Sequence, residues 1–359
     1  MIYREAGEFK TSYRSDQAIL TIPQDRWFMA AMLMIAFIAI PAFFNEYWLG
    51  AIMLPFLILS LAAIGLNILT GYAGQLSLGT GGFMATGAFA AYKLATSFPD
   101  MHILLVMLLA GFITAAVGIL FGIPSLRIKG FYLAVATLAS QFFLIWLFNK
   151  FGWFTNYSAS GVISAPPMTL FGDIYVTGTK ATLLAKYLFT LSLVVLLALV
   201  AKNLIRSNIG REWMAIRDMD IAAEIIGIPM LATKLKAFAV SSFYCGIAGA
   251  LWAFIYTGSV EPLAFDVNRS FQILFMIIIG GLGSISGSFL GAAFIILLPI
   301  FLSRAPSLVG LSLPVDLISH IEFMVFGALI IFFLIVEPHG LARLWQIMKE
   351  KLRLWPFPY

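Results

Sequence analysis

The chain has 359 residues, 61% of them hydrophobic and 11% charged, with a net charge of +5. Soluble domains run near half apolar and a quarter charged, so this composition excludes an ordinary soluble fold. The basic excess does not point to nucleic acid, because Lys and Arg lie between long apolar runs, where they report orientation in a membrane.

The first 26 residues carry Arg4, Glu5, Glu8, Lys10, Arg14, Asp16, Asp25 and Arg26. That start is too long and too acidic for a secretory signal, so the first apolar run is expected to be a retained helix. Charge-free runs follow at Tyr47–Tyr92, Met101–Leu126, Ala237–Val260 and Ser270–Ser303. A hydrocarbon core of about 30 Å takes roughly 20 apolar residues per helix. Ten spans are predicted, at 27–45, 50–70, 76–96, 102–122, 131–149, 184–203, 235–257, 270–283, 286–303 and 320–337. The fold class is therefore an all-α integral membrane protein of about ten transmembrane helices. The spans at 270–283 and 286–303 share a Gly-rich junction and are open to being re-entrant or one broken segment.

The domain plan is a cytoplasmic segment 1–26, a single transmembrane domain 27–340 and a cytoplasmic tail 341–359. Within the domain, 150–183 is expected to be a periplasmic loop and 204–234 a cytoplasmic loop. With the N-terminus inside, the inner set is Arg4, Lys10, Arg14, Arg26, Arg127, Lys129, Lys202, Arg206, Arg211, Arg217, Lys234, Lys236, Arg343, Lys349, Lys351 and Arg353. The outer set is Lys93, Lys150, Lys180, Lys186, Arg269 and Arg304, a bias of 16 to 6. This favours an even number of crossings with both termini cytoplasmic. Five spans precede the outer loop and five follow it in opposite sense, an arrangement open to a 5+5 inverted repeat.

Chemistry-bearing groups are few. Cys245 is alone and cannot form an internal disulfide; among apolar neighbours it reads as packing. No GxxxxGK[ST] loop occurs, so the chain has no nucleotide site of that kind. By these span edges, no Asp, Glu, His or Arg falls in the middle third of a span, and Lys93, Lys186 and Glu322 lie near an interface. An ion-coupled carrier would need such groups at depth. Either the chain is a passive channel or another subunit supplies the energy.

The segment 210–229 carries an apolar stripe of Trp213, Ile216, Met219, Ala223 and Ile226 beside charged Arg217, Asp220 and Glu224. Gly227 and Pro229 end it. Such a helix can insert into a partner's groove or lie on lipid headgroups.

Here three motifs carry a resemblance. The segment is similar to the coupling loop of ABC importer permeases, whose pattern is Glu-Ala-Ala, three residues, then Gly. Ala222, Ala223 and Gly227 match it, while Ile221 stands at the glutamate position and Arg217, Asp218 and Glu224 are candidate polar contacts. Gly71-Tyr-Ala-Gly-Gln-Leu-Ser-Leu-Gly79 after Asn67, and Gly280-Gly-Leu-Gly-Ser-Ile-Ser-Gly287, resemble the two Gly-rich signatures of LivM-type branched-chain amino acid permeases. Together the motifs cover most of residues 50–300.

The resemblance implies a permease subunit of an ATP-driven importer that works by alternating access in the bacterial inner membrane and has no catalytic site of its own. It implies a second, LivH-like permease, two cytoplasmic ATPase subunits and a periplasmic solute-binding protein as partners. The chain itself would bind no cofactor or metal, ATP and Mg²⁺ being used by the ATPases. Branched-chain amino acids are the implied substrates, with urea, amides and other amino acids moved by relatives. ATPase coupling would fall to Trp213, Ile216, Arg217, Asp218, Met219, Ala222, Ala223, Glu224 and Gly227. Candidate pathway residues are Asn67, Gly71, Gly74, Gln75, Ser77, Thr80, Gly281, Gly283 and Ser284. Glycines at membrane depth serve tight helix packing equally well, and the second motif suits a tight turn between short helices. A passive channel or a secondary transporter for a small neutral solute is the alternative.

Overall fold

The computed structural model describes residues 11–12, 23–125, 131–158, 160–170, 174–178, 180–308, 315–337 and 339–354. Arg4, Lys10, Arg14, Arg127 and Lys129 of the inner set lie outside the described residues, as do most of 1–26 and all of 355–359. The helices are α1 (Asp25–Phe43), α2 (Trp48–Tyr72), α3 (Thr80–Ser97), α4 (Ile103–Ser125), α5 (Phe131–Lys150) and α6 (Leu183–Arg206). Two short helices follow, α7 (Asn208–Asp218) and α8 (Asp220–Ile225), then α9 (Met230–Thr257) and α10 (Val267–Gly280). The chain ends with α11 (Ile285–Leu308), α12 (Val315–Val336) and α13 (Gly340–Leu354). Among the described residues, eight segments are long and apolar enough to cross a membrane, Pro262–Gly280 with its leading turn counted as one of them. Helices α3 and α12 occupy the two remaining predicted spans.

Helices α2 and α9 are apolar nearly all round, and most of their surface is buried in the chain, whereas α1 buries none of its apolar stretch. They form the axis of the bundle. α9 packs along α3 and α4 as α2 packs along α10 and α11, and the α3–α4 pair is matched by α10–α11. This exchange of roles is what a repeat of the second to fifth helices of each half produces. The odd number of crossings per half makes it an inverted one. The first helices break the pattern, since α6 packs on α2 while α1 leans on α6. Small residues permit the closest crossing: a Cβ on Gly87 would strike the backbone of Gly246, and one on Gly249 that of Met84.

Both axial helices end in a π-helical turn, Ile68–Tyr72 and Trp252–Thr257. Each is followed by an irregular stretch that leads into a helix starting deep in the bundle. Gln141, the anchor of this depth, is the eleventh of twenty residues in α5, so it lies near mid-bilayer when α5 crosses. Its Oε1 accepts the N–H of Gly82 at the start of α3, and its Nε2 donates to the Phe265 carbonyl just before α10 at 2.7 Å. The two N-termini thus meet at mid-depth, α3 running outward and α10 inward. From Gly82 to Lys93 is ~16 Å at 1.5 Å per residue, half a hydrocarbon core. Lys93 sits 4.5 Å from the Trp153 ring, in keeping with an interfacial position.

This depth corrects two expectations. The predicted span 76–96 begins later, at Thr80, because 73–79 is irregular. Arg269, expected in an outer connection, lies at the start of α10, and Asp266 caps that helix, accepting the Arg269 N–H at 3.1 Å. Charged groups therefore do reach membrane depth, since residues 258–266 fold back inward before α10 begins.

Two further contacts frame the ends. In the outer loop, strand β1 (Ile163–Ser164) pairs antiparallel with β4 (Ser259–Val260), tying the loop to the α9–α10 connection. Strands β2 (Thr169–Leu170) and β3 (Ile174–Tyr175) form a hairpin beside it. At the opposite side Lys349 pairs with Asp25 at 2.9 Å, and Phe28 lies 5.9 Å from Trp345. The start of α1 and the C-terminal helix α13 thus share one side, as an even crossing number demands.

Candidate functional site

The three motifs legible in the sequence come together at one place, on the side of the bundle where α2 ends. Asn67 stands in the last α-helical turn of α2 and is 1% exposed. Its Nδ2 donates to the Ser284 carbonyl and Ser288 Oγ, both at 2.9 Å, and to the Gly281 carbonyl at 3.3 Å. Its Oδ1 accepts the Gly283 N–H at 2.8 Å. One amide therefore satisfies the turn between α10 and α11 from within the neighbouring half. A buried amide at membrane depth needs such partners, because each one left unpaired costs about 1–3 kcal/mol.

Gly71 lies between this clamp and the coupling loop. A Cβ there would collide with Asn67 Oδ1 and the Gly283 N–H, so the residue is glycine for space. Its carbonyl accepts Nη1 of Arg217, on α7, at 2.9 Å. The stem of Arg217 lies against the position a Gly74 Cβ would occupy, its Nη1 is 3.2 Å from where a Gly283 Cβ would sit, and the guanidinium pairs with Asp218 at 2.9 Å. Arg217 is thus in contact with both Gly-rich motifs at once.

Beyond Gly71 the chain is held by its own hydroxyls. Thr70 Oγ1 donates to the Gln75 carbonyl at 3.1 Å, and the Leu78 N–H donates to Thr137 Oγ1 at 2.9 Å. Ser77 accepts the Gly79 N–H. Gln75 and Thr80 are buried without a partner for their side-chain polar atoms among the described residues. Of the candidate pathway residues, Asn67, Gln75, Ser77 and Thr80 are at most 3% exposed, Gly283 and Ser284 are half-buried and Gly74 is exposed. Asn67, Gly71, Gly281, Gly283 and Ser284 act in packing and in the turn.

The coupling segment is two helices, and this corrects the expected single stripe. Met219 adopts an extended backbone and separates α7 from α8. Trp213, Ile216 and Ala223 are packed inside the chain, Trp213 donating its indole N–H to the Thr233 carbonyl at 3.1 Å. The apolar residues left outside are Met219, Ile221, Ile225 and Ile226, between 70% and 81% exposed. The stripe binds this loop to α9, and the break at Met219 turns a second apolar set outward. Gly227 has φ +90°, with its N–H on the Glu224 carbonyl and the Ile228 N–H on the Ala223 carbonyl. This paired reversal ends α8 and needs a residue tolerant of positive φ.

Gln141, Ser270 and Phe265 were not singled out in the sequence. Ser270 Oγ accepts the Gly81 N–H at 2.8 Å and donates to Gln141 Oε1 at 3.2 Å. A glutamine in the centre of an otherwise apolar span was the available signal.

A multi-pass helical bundle with two half-spanning helices meeting at mid-depth, and a charged loop docked on the break between α2 and α3, is the architecture of a membrane permease. The chain belongs to the family described as the permease component of the branched-chain amino acid transport system, which matches residues 48–334. It is 31% identical over 299 residues to the high-affinity branched-chain amino acid transport system permease protein LivM of Salmonella typhimurium, covering 77% of this chain and 66% of that protein. Its identity to the protein of the same description from Escherichia coli is 34% over 242 residues, 62% of this chain and 56% of that protein. A probable LivM permease protein of Methanocaldococcus jannaschii is 25% identical over 281 residues, 74% of this chain and 78% of that one. The chain therefore spans 66% and 56% of the first two relatives. No solved structure matches it.

Proposed function

We propose that this chain is the LivM-like half of an ATP-driven importer in the bacterial inner membrane, with both termini in the cytoplasm, moving branched-chain amino acids inward by alternating access. Its partners on this reading are a LivH-like second permease, two ATPase subunits that consume ATP with Mg²⁺, and a periplasmic solute-binding protein. The observation that carries the reading is the bond from Arg217 to the Gly71 carbonyl. It joins the loop that resembles a coupling segment to the break between α2 and α3, the place where an inner gate would act. The exposed set Met219, Ile221, Ile225 and Ile226 is the surface offered to an ATPase, and Trp213, Ile216, Ala222, Ala223, Glu224 and Gly227 hold it in place. Arg217 with Asp218 relays its motion to the gate.

The test is uptake of radiolabelled L-leucine by cells that lack their own branched-chain transport and express the chain with its four expected partners. Accumulation against a gradient that requires ATP supports the reading. Accumulation by the chain alone under a proton or sodium gradient overturns it. A second arm introduces Ile225→Asp, which meets only solvent in the isolated chain. It should leave the chain's melting unchanged while abolishing leucine-stimulated ATP hydrolysis, because an unpaired carboxylate in an apolar contact costs several kcal/mol, about 3 or more.

A further inference from the structure

The start of α10 carries a cation at membrane depth that no carboxylate neutralises by direct contact. Arg269 Nη1 donates to Gln272 Oε1 at 2.8 Å, and its Nε reaches the Ala264 carbonyl at 3.5 Å. Its guanidinium carbon lies 4.1 Å from the centroid of the Trp252 ring. The nearby Asp266 is engaged elsewhere: Oδ1 caps the Arg269 N–H and Oδ2 accepts Asn268 Nδ2 at 2.8 Å. No ion pair joins Asp266 or any other acid to the guanidinium among the described residues. An arginine at depth is costly, and ionisable residues there face the bundle interior or a water-filled cavity and mark substrate pathways. Residues at the start of a helix point back toward its N-terminus, which for α10 is the outward direction, toward the β1–β4 ribbon.

Two independent features point to what this place receives. The Trp252 indole, 6% exposed and stacked on the guanidinium, has an N–H without any acceptor. Thr80, 1% exposed, has an unbonded hydroxyl beside Gly81, whose N–H meets Ser270 next to Arg269. Both are donors left over where two helix N-termini converge, and helix N-termini attract negative charge. Buried donors without acceptors and an arginine without a direct carboxylate partner share one missing component.

From this we infer that Arg269 and Trp252 form an outward-facing subsite for the carboxylate of a small amino acid on its way through the permease. The inference rests on the amino-acid importer reading and adds to it the recognising residues. The guanidinium supplies paired N–H donors to both carboxylate oxygens, and the indole N–H supplies a third. Gln272 holds the guanidinium while the site is empty.

The experiment is saturation-transfer NMR on the complete purified transporter with millimolar L-leucine, and with L-leucinamide, which lacks the carboxylate. Wild type should show leucine signals well above those of leucinamide. Arg269→Gln should lower the leucine signal about tenfold or more, the loss expected for a charge-assisted hydrogen bond, and should erase the preference over leucinamide. Arg269→Lys should keep part of it. Trp252→Phe preserves the ring under the guanidinium and removes only the N–H, and it should weaken leucine about threefold with unchanged melting. Equal leucine signals in wild type and Arg269→Gln, or no leucine signal in wild type, overturn the subsite. If Arg269→Gln proves misassembled, the Lys and Phe variants decide by the same criterion. Leucine uptake by wild-type cells is scored separately, so its failure removes the importer reading, and success there without the NMR difference removes the subsite alone.

Discussion

After α2 the chain leaves a π-helical turn at Tyr72, runs through residues 73–79 and starts α3 toward the outside. After α9 it leaves a π-helical turn at Thr257, runs through 258–266 and starts α10 toward the inside. The two breaks hold corresponding places in the two halves, yet their chemistry differs. The inner break contains no charge of its own and is closed by borrowed groups, with Asn67 beneath it and Arg217 across it. The outer break brings Glu261, Asp266 and Arg269, and among the described residues no carboxylate pairs directly with the guanidinium. Pseudo-symmetric backbone thus gives one position that is locked and another that is receptive.

The comparison can be broken most severely at Asn67. Asn67→Ala should strand the Gly283 N–H and leave three acceptors unserved, lowering stability by about 4 kcal/mol, read as a fall in melting temperature of the purified chain and loss of uptake. If melting is unchanged, the inner break is not held by this amide. Gln141→Leu tests whether the two breaks are mechanically joined. It removes the partners of the Gly82 N–H, the Phe265 carbonyl and Ser270 in one step, and a loss of about 3 kcal/mol is expected. Both breaks should then loosen together, with faster cysteine labelling at sites introduced into 73–79 and into 258–266. Labelling that rises at one break only would show them to be independent.

Arg217→Ala sharpens the contrast without dismantling it. The pair with Asp218 is well exposed and contributes little to stability, so melting should shift by less than ~1 kcal/mol. Leucine-stimulated ATP hydrolysis should fall about tenfold, within the usual range of coupling free energies, and basal hydrolysis should not change. Gly227→Ala should have the smallest effect. No atom lies within 4 Å of the added Cβ, so only the positive φ is strained, at about 1 kcal/mol. A loss of coupling beyond that cost would mean α8 is positioned far more tightly than its exposed surface implies.

Much of the plan was legible because the bilayer imposes it residue by residue. Span lengths follow from hydrocarbon thickness, and an even crossing number follows from where Lys and Arg fall. The motif spacing that places Asn67, Gly71 and Gly280–Gly287 among the permeases is also linear information. Even the end of the coupling helix could be read, since Gly227 before Pro229 has few other uses.

What only the tertiary structure decided are the properties that depend on which face meets which neighbour. Trp213, Ile216 and Ala223 formed an apolar stripe, and nothing linear says whether a stripe is covered by a partner or by its own chain. α9 covers it, and the break at Met219 turns Ile221, Ile225 and Ile226 outward instead. Arg269 was expected in an outer connection because its place was counted along the chain from the span edge. Depth is set by where the chain folds back, and Gln141, more than a hundred residues away, fixes that point by hydrogen bonding to Phe265. A buried polar group at mid-bilayer must find its partners in space, so those partners bear no regular relation to it in sequence.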